Sequence, residues 1–411
     1  MLHCTSEMED NLEYPSGELS GSVSRFAIVV VAYNRAKALR RLLQVLEKAE
    51  YGSDFVDVVV SIDYSGSQRE LVDIAELWVW QHGRKIVRAF ETRQGLRAHV
   101  LACGDLAYGY DAVIVLEDDL YVSRQFYRFA REAVTFYGND PCVAGLSLYA
   151  PNMNEMVERP FIPLRNGYDV YALQSAQSWG QCWTRKMWDG FRQWYKNNTG
   201  RLERAFDLPE KIYRWPETSW KKYFMKYLVV SGRTFVYPYD SLTTNSSAVG
   251  QHHLEPSSAY EVPVLEGRKH FQFGPVHNLV AYDSFFERVG LTWVGKDGTQ
   301  GTVCADLYGS KRMSDGSRYL LTRKQLGYKV IAAYGLHLRP HEYNFEAEED
   351  GNDIWLFDLS SDVRNIEGAS DIGRELNYHI TVPWKLTLIH GCIGCTKYVF
   401  RKVTSLFRRF I

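Results

Sequence analysis

No glycine stands between Phe26 and Tyr51, where an apolar run gives way to a helical repeat. The Gly-rich phosphate loops of dinucleotide-binding and P-loop proteins need glycines at that turn, so their absence counts against kinases, ATPases and hydride-transfer enzymes. No apolar run of about 18 or more residues occurs, and a spanning helix is not expected. An excess of one charge is missing too: 48 Lys and Arg face 49 Asp and Glu over 411 residues. No global field draws nucleic acid or an acidic polymer, so any anionic ligand has to be caught locally. Residues Met1 to Ser24 lack the basic-then-apolar order of a signal peptide and read as a flexible leader, 1–24. The seven cysteines have no disulfide-framework spacing, and several stand in apolar stretches, as reduced, buried thiols of a cytosolic protein do. Cys392 and Cys395 lack the second pair that would make a zinc site.

What is present is a hydrophobic fraction of 45% with 24% charged residues, enough for a substantial core. Twenty-seven Tyr and 11 Trp offer flat faces suited to sugars or bases, and equally an aromatic-rich core. Strand-like Phe26 to Ala32 is followed by Leu39, Leu42, Leu43 and Leu46 at helical spacing. The alternation continues with strands at Val56 to Ile62, Lys85 to Phe90 and Ala112 to Leu116, and helices at Glu70 to Gln81 and Arg97 to Tyr108. Such serial strand–helix units imply an α/β protein with a mostly parallel sheet flanked by helices. Cys142 to Leu148 reads as a further strand. After Tyr149 the pattern loosens into aromatic-rich sequence that reads as site-building rather than more sheet, with helices near Lys186 to Tyr195 and Ser219 to Val230. The charged stretch Glu346 to Asp350 reads as a solvated loop.

The most informative segment is Glu117-Asp118-Asp119, three carboxylates at the carboxyl end of a buried strand. Ligands of open α/β sheets bind at that end. Adjacent carboxylates repel one another, which points to a divalent cation as compensation, or else to a solvated acidic loop. The other strand ends on the same edge supply Ala32-Tyr33-Asn34-Arg35 and Ser61-Ile62-Asp63-Tyr64-Ser65-Gly66. A nucleotide lying across them would meet Asp63 with a base N–H and Arg35 with phosphate; Asn34 could instead cap the following helix.

The order Val-Ala-Tyr-Asn-Arg, Ser-Ile-Asp-Tyr-Ser-Gly, Leu-Glu-Asp-Asp-Leu and Ser178-Trp179-Gly180-Gln181-Cys182-Trp183 resembles glycosyltransferases of the GT-A (Rossmann-like) fold. The likeness runs from Phe26 to His253 and is closest to bacterial family-2-like enzymes and the N-acetylglucosaminyltransferase I group. It implies that Asp119 ligates Mn2+ or Mg2+ together with the diphosphate of a nucleotide-sugar, and that Glu117 and Asp118 lie against ribose and sugar. Ala32, Tyr33, Asn34, Arg35, Asp63, Arg97, Trp179 and Gly180 would complete the donor site, with Trp179 and Trp183 walling the sugar pocket. A hard cation suits this chemistry, since breaking the sugar–phosphate bond puts charge on the departing diphosphate. Inversion also needs a base on the opposite face. The segment Trp215-Pro216-Glu217-Thr218-Ser219-Trp220 resembles the family's base-bearing stretch, but Lys221 and Lys222 follow where Asp is usual. Glu217 is the nearest carboxylate and Asp207 the next choice; a helix-dipole role for Glu217 stays open. His252 or His253 would complete the metal or diphosphate site.

The implied activity is transfer from a UDP-sugar to a glycan or lipid-linked acceptor, in polysaccharide or glycoconjugate biosynthesis. A nucleotidyltransferase and an inactive glycan- or nucleotide-binding protein are the alternatives, the second favoured by Lys221-Lys222. The expected organisation is a GT-A domain over 25–267 (a donor half, 25–150, and an acceptor half, 151–267), an accessory region over 268–383 and a basic amphipathic tail over 384–411. That tail could lie on the inner face of an anionic membrane or dock on the protein body.

Overall fold

The computed structural model describes residues 25–246, 260–312 and 315–361, with 378, 388–389, 391–393 and 395–396. The 1–24 leader, His252, His253 and most of the 384–411 tail lie outside the described residues. Among the described residues, no helix is long and apolar enough to cross a membrane.

The first half alternates as its periodicity implies: β1 (Phe26–Ala32), α1 (Ala36–Leu46), β2 (Val56–Ile62), α2 (Arg69–Leu77), β3 (Lys85–Ala89), α3 (Leu96–Gly104) and β4 (Ala112–Glu117). Every residue of β1 and β2 is buried, which is why these strands read as nearly unbroken apolar runs. Helix α1 lays Leu39, Leu42, Leu43 and Leu46 into the core. A short β5 (Leu120–Val122) precedes α4 (Phe126–Tyr137), and β6 (Val143–Ser147) follows.

The second half then adds β7 (Met153–Asn154), β8 (Arg159–Pro160), β9 (Val170–Leu173), β10 (Gln181–Thr184), α5 (Arg185–Lys196), α6 (Glu210–Arg214), α7 (Trp220–Ser231), β11 (Thr234–Pro238), β12 (Thr243–Asn245) and β13 (Ala281–Tyr282). Contrary to the expectation of little further sheet after Tyr149, four of these strands join the central sheet, whose order is β13-β9-β11-β6-β10-β4-β1-β2-β3. β1, β2, β3 and β4 pair in parallel, and β10 runs antiparallel between β4 and β6. Trp183, read as a pocket wall, is instead fully buried and packs on Trp188, Trp220 and Phe224. Burial of a flat apolar ring is the commoner use of tryptophan.

The chain past residue 268 stays on the large sheet through β13. A separate sheet then forms from β14 (Leu291–Val294), β15 (Gln300–Asp306), β16 (Tyr319–Thr322), β17 (Lys329–Tyr334) and β18 (Ile354–Asp358), in the strand order β14-β15-β16-β18-β17, with α8 (Tyr343–Glu346) between β17 and β18 in the chain. It has its own small core around Tyr319, Leu321, Ile354 and Leu356. The charged stretch after α8 is largely exposed, though the backbone carbonyl of Glu349 accepts from the amide of Gly335 at 2.8 Å. Cys103, Cys182 and Cys304 are buried free thiols as expected, but Cys142 is disulfide-bonded, against the expectation of reduced cysteines.

Candidate functional site

Parallel pairing brings the three strand ends together. Ala32 stands opposite Ile62, and Val31 opposite Glu117. The amide of Asp63 donates to the carbonyl of Ala32 at 2.9 Å, and that of Asp118 to Val31 at 3.0 Å. The side chains of Asp63 and the triplet therefore start from one edge because their backbones bond to β1, and Arg35 follows the end of β1 and reaches the triplet with its side chain.

Arg35 is the centre of this edge. Its guanidinium pairs with Asp118 and, at 2.6 Å, with Asp119 Oδ2. Burial opposes its charge, but Asp118, Asp119 and Glu117 outweigh that and raise its pKa above the ordinary value. Asn34 does not cap α1: Arg35 holds the N-cap position and no side chain bonds there.

The protein alone leaves the triplet short of positive charge. Burial, then the neighbouring Asp119, pushes Glu117 up to about 8, with Arg35 and Lys221 pulling the other way. Burial also lifts Asp118 to about 6 despite Arg35. Asp119 is buried, its Oδ1 has no hydrogen-bond partner among the described residues, and its carbonyl is held by Arg41 and by Ser246. An acceptor-only oxygen left unpaired in a buried place fits a hard cation. Among the described residues no three His, Cys, Asp or Glu side chains converge as a metal site, so most ligands of such a cation would come from elsewhere. β12 pairs with β5, placing Asn245 beside Leu120.

Asp63 is buried with its oxygens engaged by three backbone amides: Tyr64 at 2.8 Å, Gln94 at 2.7 Å and Gly95 at 3.0 Å. It orders the loop that enters α3, and any further acceptance from a ligand uses its remaining lone pairs. Arg93 lies over the Tyr33 ring at 5.2 Å, and Arg97 over Tyr223 at 5.0 Å.

On the other side stands an aromatic group. Trp179 packs against Tyr149 at 5.0 Å and Tyr260 at 4.7 Å between ring centres. Gly180 follows at a φ of +100°, and a Cβ there would meet Thr243 Cγ2 at 2.9 Å. Thr243 donates to the Trp179 carbonyl at 2.5 Å, so the Ser-Trp-Gly turn is locked onto β12.

The two base candidates are both ion-paired. Glu217 accepts from Lys222 Nζ at 2.7 Å and Tyr223 Oη at 2.6 Å, and these bonds hold its carboxyl below the ordinary value. Asp207 takes Lys226 and, at 2.6 Å, Tyr213; burial would raise its pKa but these donors lower it. Lys222 is buried and also donates to the carbonyls of Tyr213 and Trp215. The second lysine of the pair is thus a structural clamp. Lys221, noted above only as a departure, reaches the site: it pairs with Glu155 at 2.6 Å and lies 5.4 Å from the Trp215 ring centre and 5.9 Å from that of Trp179. Glu155 was not foreseen, since its partner is 66 positions away.

Residues 27–174 match the family described as glycosyl transferase family 2. No curated protein matches the chain. Solved structures similar to it include S. aureus TarS 1–349 in complex with UDP-GlcNAc, with 14% identity, a TM-score of 0.37, and coverage of 56% of this chain and 60% of that one. A mannosyltransferase from Pyrobaculum calidifontis in complex with GDP-Man and Mn2+ aligns at 14% identity and a TM-score of 0.35, covering 56% and 59%. GalNAc-T7 with UDP, GalNAc and Mn2+ aligns at 14% identity and a TM-score of 0.37, covering 53% and 43%. The chain thus spans less than two thirds of the length of these structures. Residues 27–174 are thus similar in sequence to glycosyl transferase family 2, and they hold β2, β3, β4, β6 and β9 of the central sheet with nearly all of β1.

Proposed function

We propose that this chain is a metal-dependent, inverting glycosyltransferase that moves a hexosyl or N-acetylhexosaminyl group from a UDP-sugar to a glycan or lipid-linked acceptor, in polysaccharide or glycoconjugate biosynthesis. One observation carries the reading: Asp63, Arg35 and the Glu117–Asp119 triplet share one sheet edge, and Asp119 Oδ1 is buried there without a partner. The family match over residues 27–174 supports it.

In this reading Asp119 helps hold Mn2+ or Mg2+, which when bound stabilises the charge of the departing diphosphate. Arg35 orients Asp118 and Asp119 and offers a second positive charge to phosphate. Asp63 keeps the loop before α3 in place for the base, and Trp179 with Tyr149 offers a face to a sugar ring. Glu117, partly buried at the end of β4, would meet sugar hydroxyls.

The test is UDP release from UDP-glucose, UDP-galactose and UDP-N-acetylglucosamine, with and without Mn2+, for wild type and Asp119→Ala. Release that needs the metal and disappears in Asp119→Ala is expected. Binding without turnover would mark an inactive binder, and pyrophosphate release from a nucleoside triphosphate would mark a nucleotidyltransferase. Metal-independent release unchanged in Asp119→Ala would remove the role given to the triplet.

A further inference from the structure

Three carboxylates stand on the α7 side of the site, and their partners separate them. Glu217 has one oxygen on Lys222 and the other on Tyr223; Asp207 has one on Lys226 and the other on Tyr213. A carboxylate already saturated by donors resists taking a proton, because each of those bonds favours the charged form.

Glu155 is placed differently. Its Oε1 accepts from Lys221, and no described residue donates to Oε2. Its side chain is 17% exposed, so a small molecule can reach it. It stands near the aromatic group, since its partner Lys221 lies by the ring of Trp179, which packs on Tyr149 and Tyr260. Lys221 ties it to the donor side, since the same ammonium lies 5.9 Å from the Trp179 ring centre and 5.4 Å from that of Trp215. One buried cation thus joins Glu155, on the loop carrying β7, to the indoles of Trp179 and Trp215.

We propose that Glu155 is the catalytic base of this site and that Lys221 is the residue that positions it. The assignment rests on the transferase reading above. The acceptor hydroxyl gives its proton to Glu155 Oε2 while its oxygen bonds to the anomeric carbon of the sugar. The bond from that carbon to the diphosphate oxygen breaks, and its electron pair leaves with UDP. Lys221 holds Oε1, which leaves Oε2 as the proton acceptor. The carboxylate expected after Trp220 is thereby supplied from another loop.

The test compares Glu155→Gln, Glu155→Asp, Glu217→Gln and Asp207→Asn. UDP affinity is read by tryptophan quenching, and UDP release from UDP-N-acetylglucosamine, UDP-glucose and UDP-galactose is followed from pH 5 to 9. Water serves as acceptor, with sodium azide as a nucleophile that carries no proton to remove. Glu155→Gln is expected to slow release to water about 10²-fold or more, the range of general-base catalysis, with UDP affinity within about twofold of wild type. Azide should restore release in Glu155→Gln, Glu155→Asp should recover part of the rate, and the other two variants should stay within about tenfold of wild type. Glu155→Gln that keeps more than a tenth of the rate with an unchanged pH profile overturns the assignment alone. So does a large, azide-rescued loss in Glu217→Gln. A wild type that binds none of these donors overturns the transferase reading, and the assignment with it.

Discussion

Glu342 offers a quantitative test of how the small sheet is joined to the large one. It sits just before α8 with 6% of its surface exposed, and its Oε1 accepts from Tyr282 Oη of β13 at 2.6 Å. Burial pushes its pKa from 4.5 to about 7; Tyr282 and Arg288 pull it down, and Glu346 pushes it up. The folded value lies above the unfolded one, so the fold favours the protonated carboxyl. That contribution is complete below about pH 4.5 and is lost as pH rises through 7. At about 1.4 kcal/mol per tenfold change in the equilibrium, the loss is about 3 kcal/mol. Glu287, lifted to about 8 by burial and by Asp306, acts in the same direction. Wild type should therefore lose stability between pH 5 and pH 9. Glu342→Gln keeps the acceptor for Tyr282 and is neutral throughout. Urea denaturation followed by tryptophan fluorescence should find the variant equal to wild type, or slightly weaker, at pH 5 and more stable by about 2 to 3 kcal/mol at pH 9. Comparing the two proteins cancels the other titrating groups. Identical pH slopes would refute the claim that this carboxyl is held neutral by burial.

Two further outcomes concern the site. Asp63→Ala removes the acceptor of the Gln94 and Gly95 amides; hydrogen exchange at both should lose protection, and stability should fall by about 2 kcal/mol. Unchanged protection there would mean that Asp63 does not order this loop. Gly180→Ala brings a Cβ to 2.9 Å from Thr243 Cγ2 at a φ of +100°, a strain of about 1 to 3 kcal/mol. The thermal midpoint should drop, and UDP-sugar affinity with it if the Ser-Trp-Gly turn shapes the donor pocket; an unchanged midpoint would show that the turn has room to relax.

How far the sequence reveals this molecule depends on whether a residue's partner is close in the chain or set by topology. β1, β2 and β4 are legible because strands covered on both faces are apolar along nearly their whole length. The triplet is legible because buried carboxylates after such a strand need compensation. β9, β10 and β13 are not, since each spans four residues or fewer and its place depends on partners elsewhere. β10 lies between β4 and β6 although nothing in Gln181–Thr184 alone requires it.

The consecutive lysines make the same point at the level of chemistry. Side chains of adjacent helical residues diverge by about 100°, so Lys221 and Lys222 at the start of α7 cannot share one environment. Lys222 turns to the carbonyls of Tyr213 and Trp215 and to Glu217. Lys221 turns to Glu155 and the two indoles. As letters in a motif they are one departure from the expected carboxylate; in space the first faces the site and the second braces the segment before it. Losing the carboxylate from α7 is therefore weak evidence for an inactive protein, because Lys221 itself draws another carboxylate to the same side of the site.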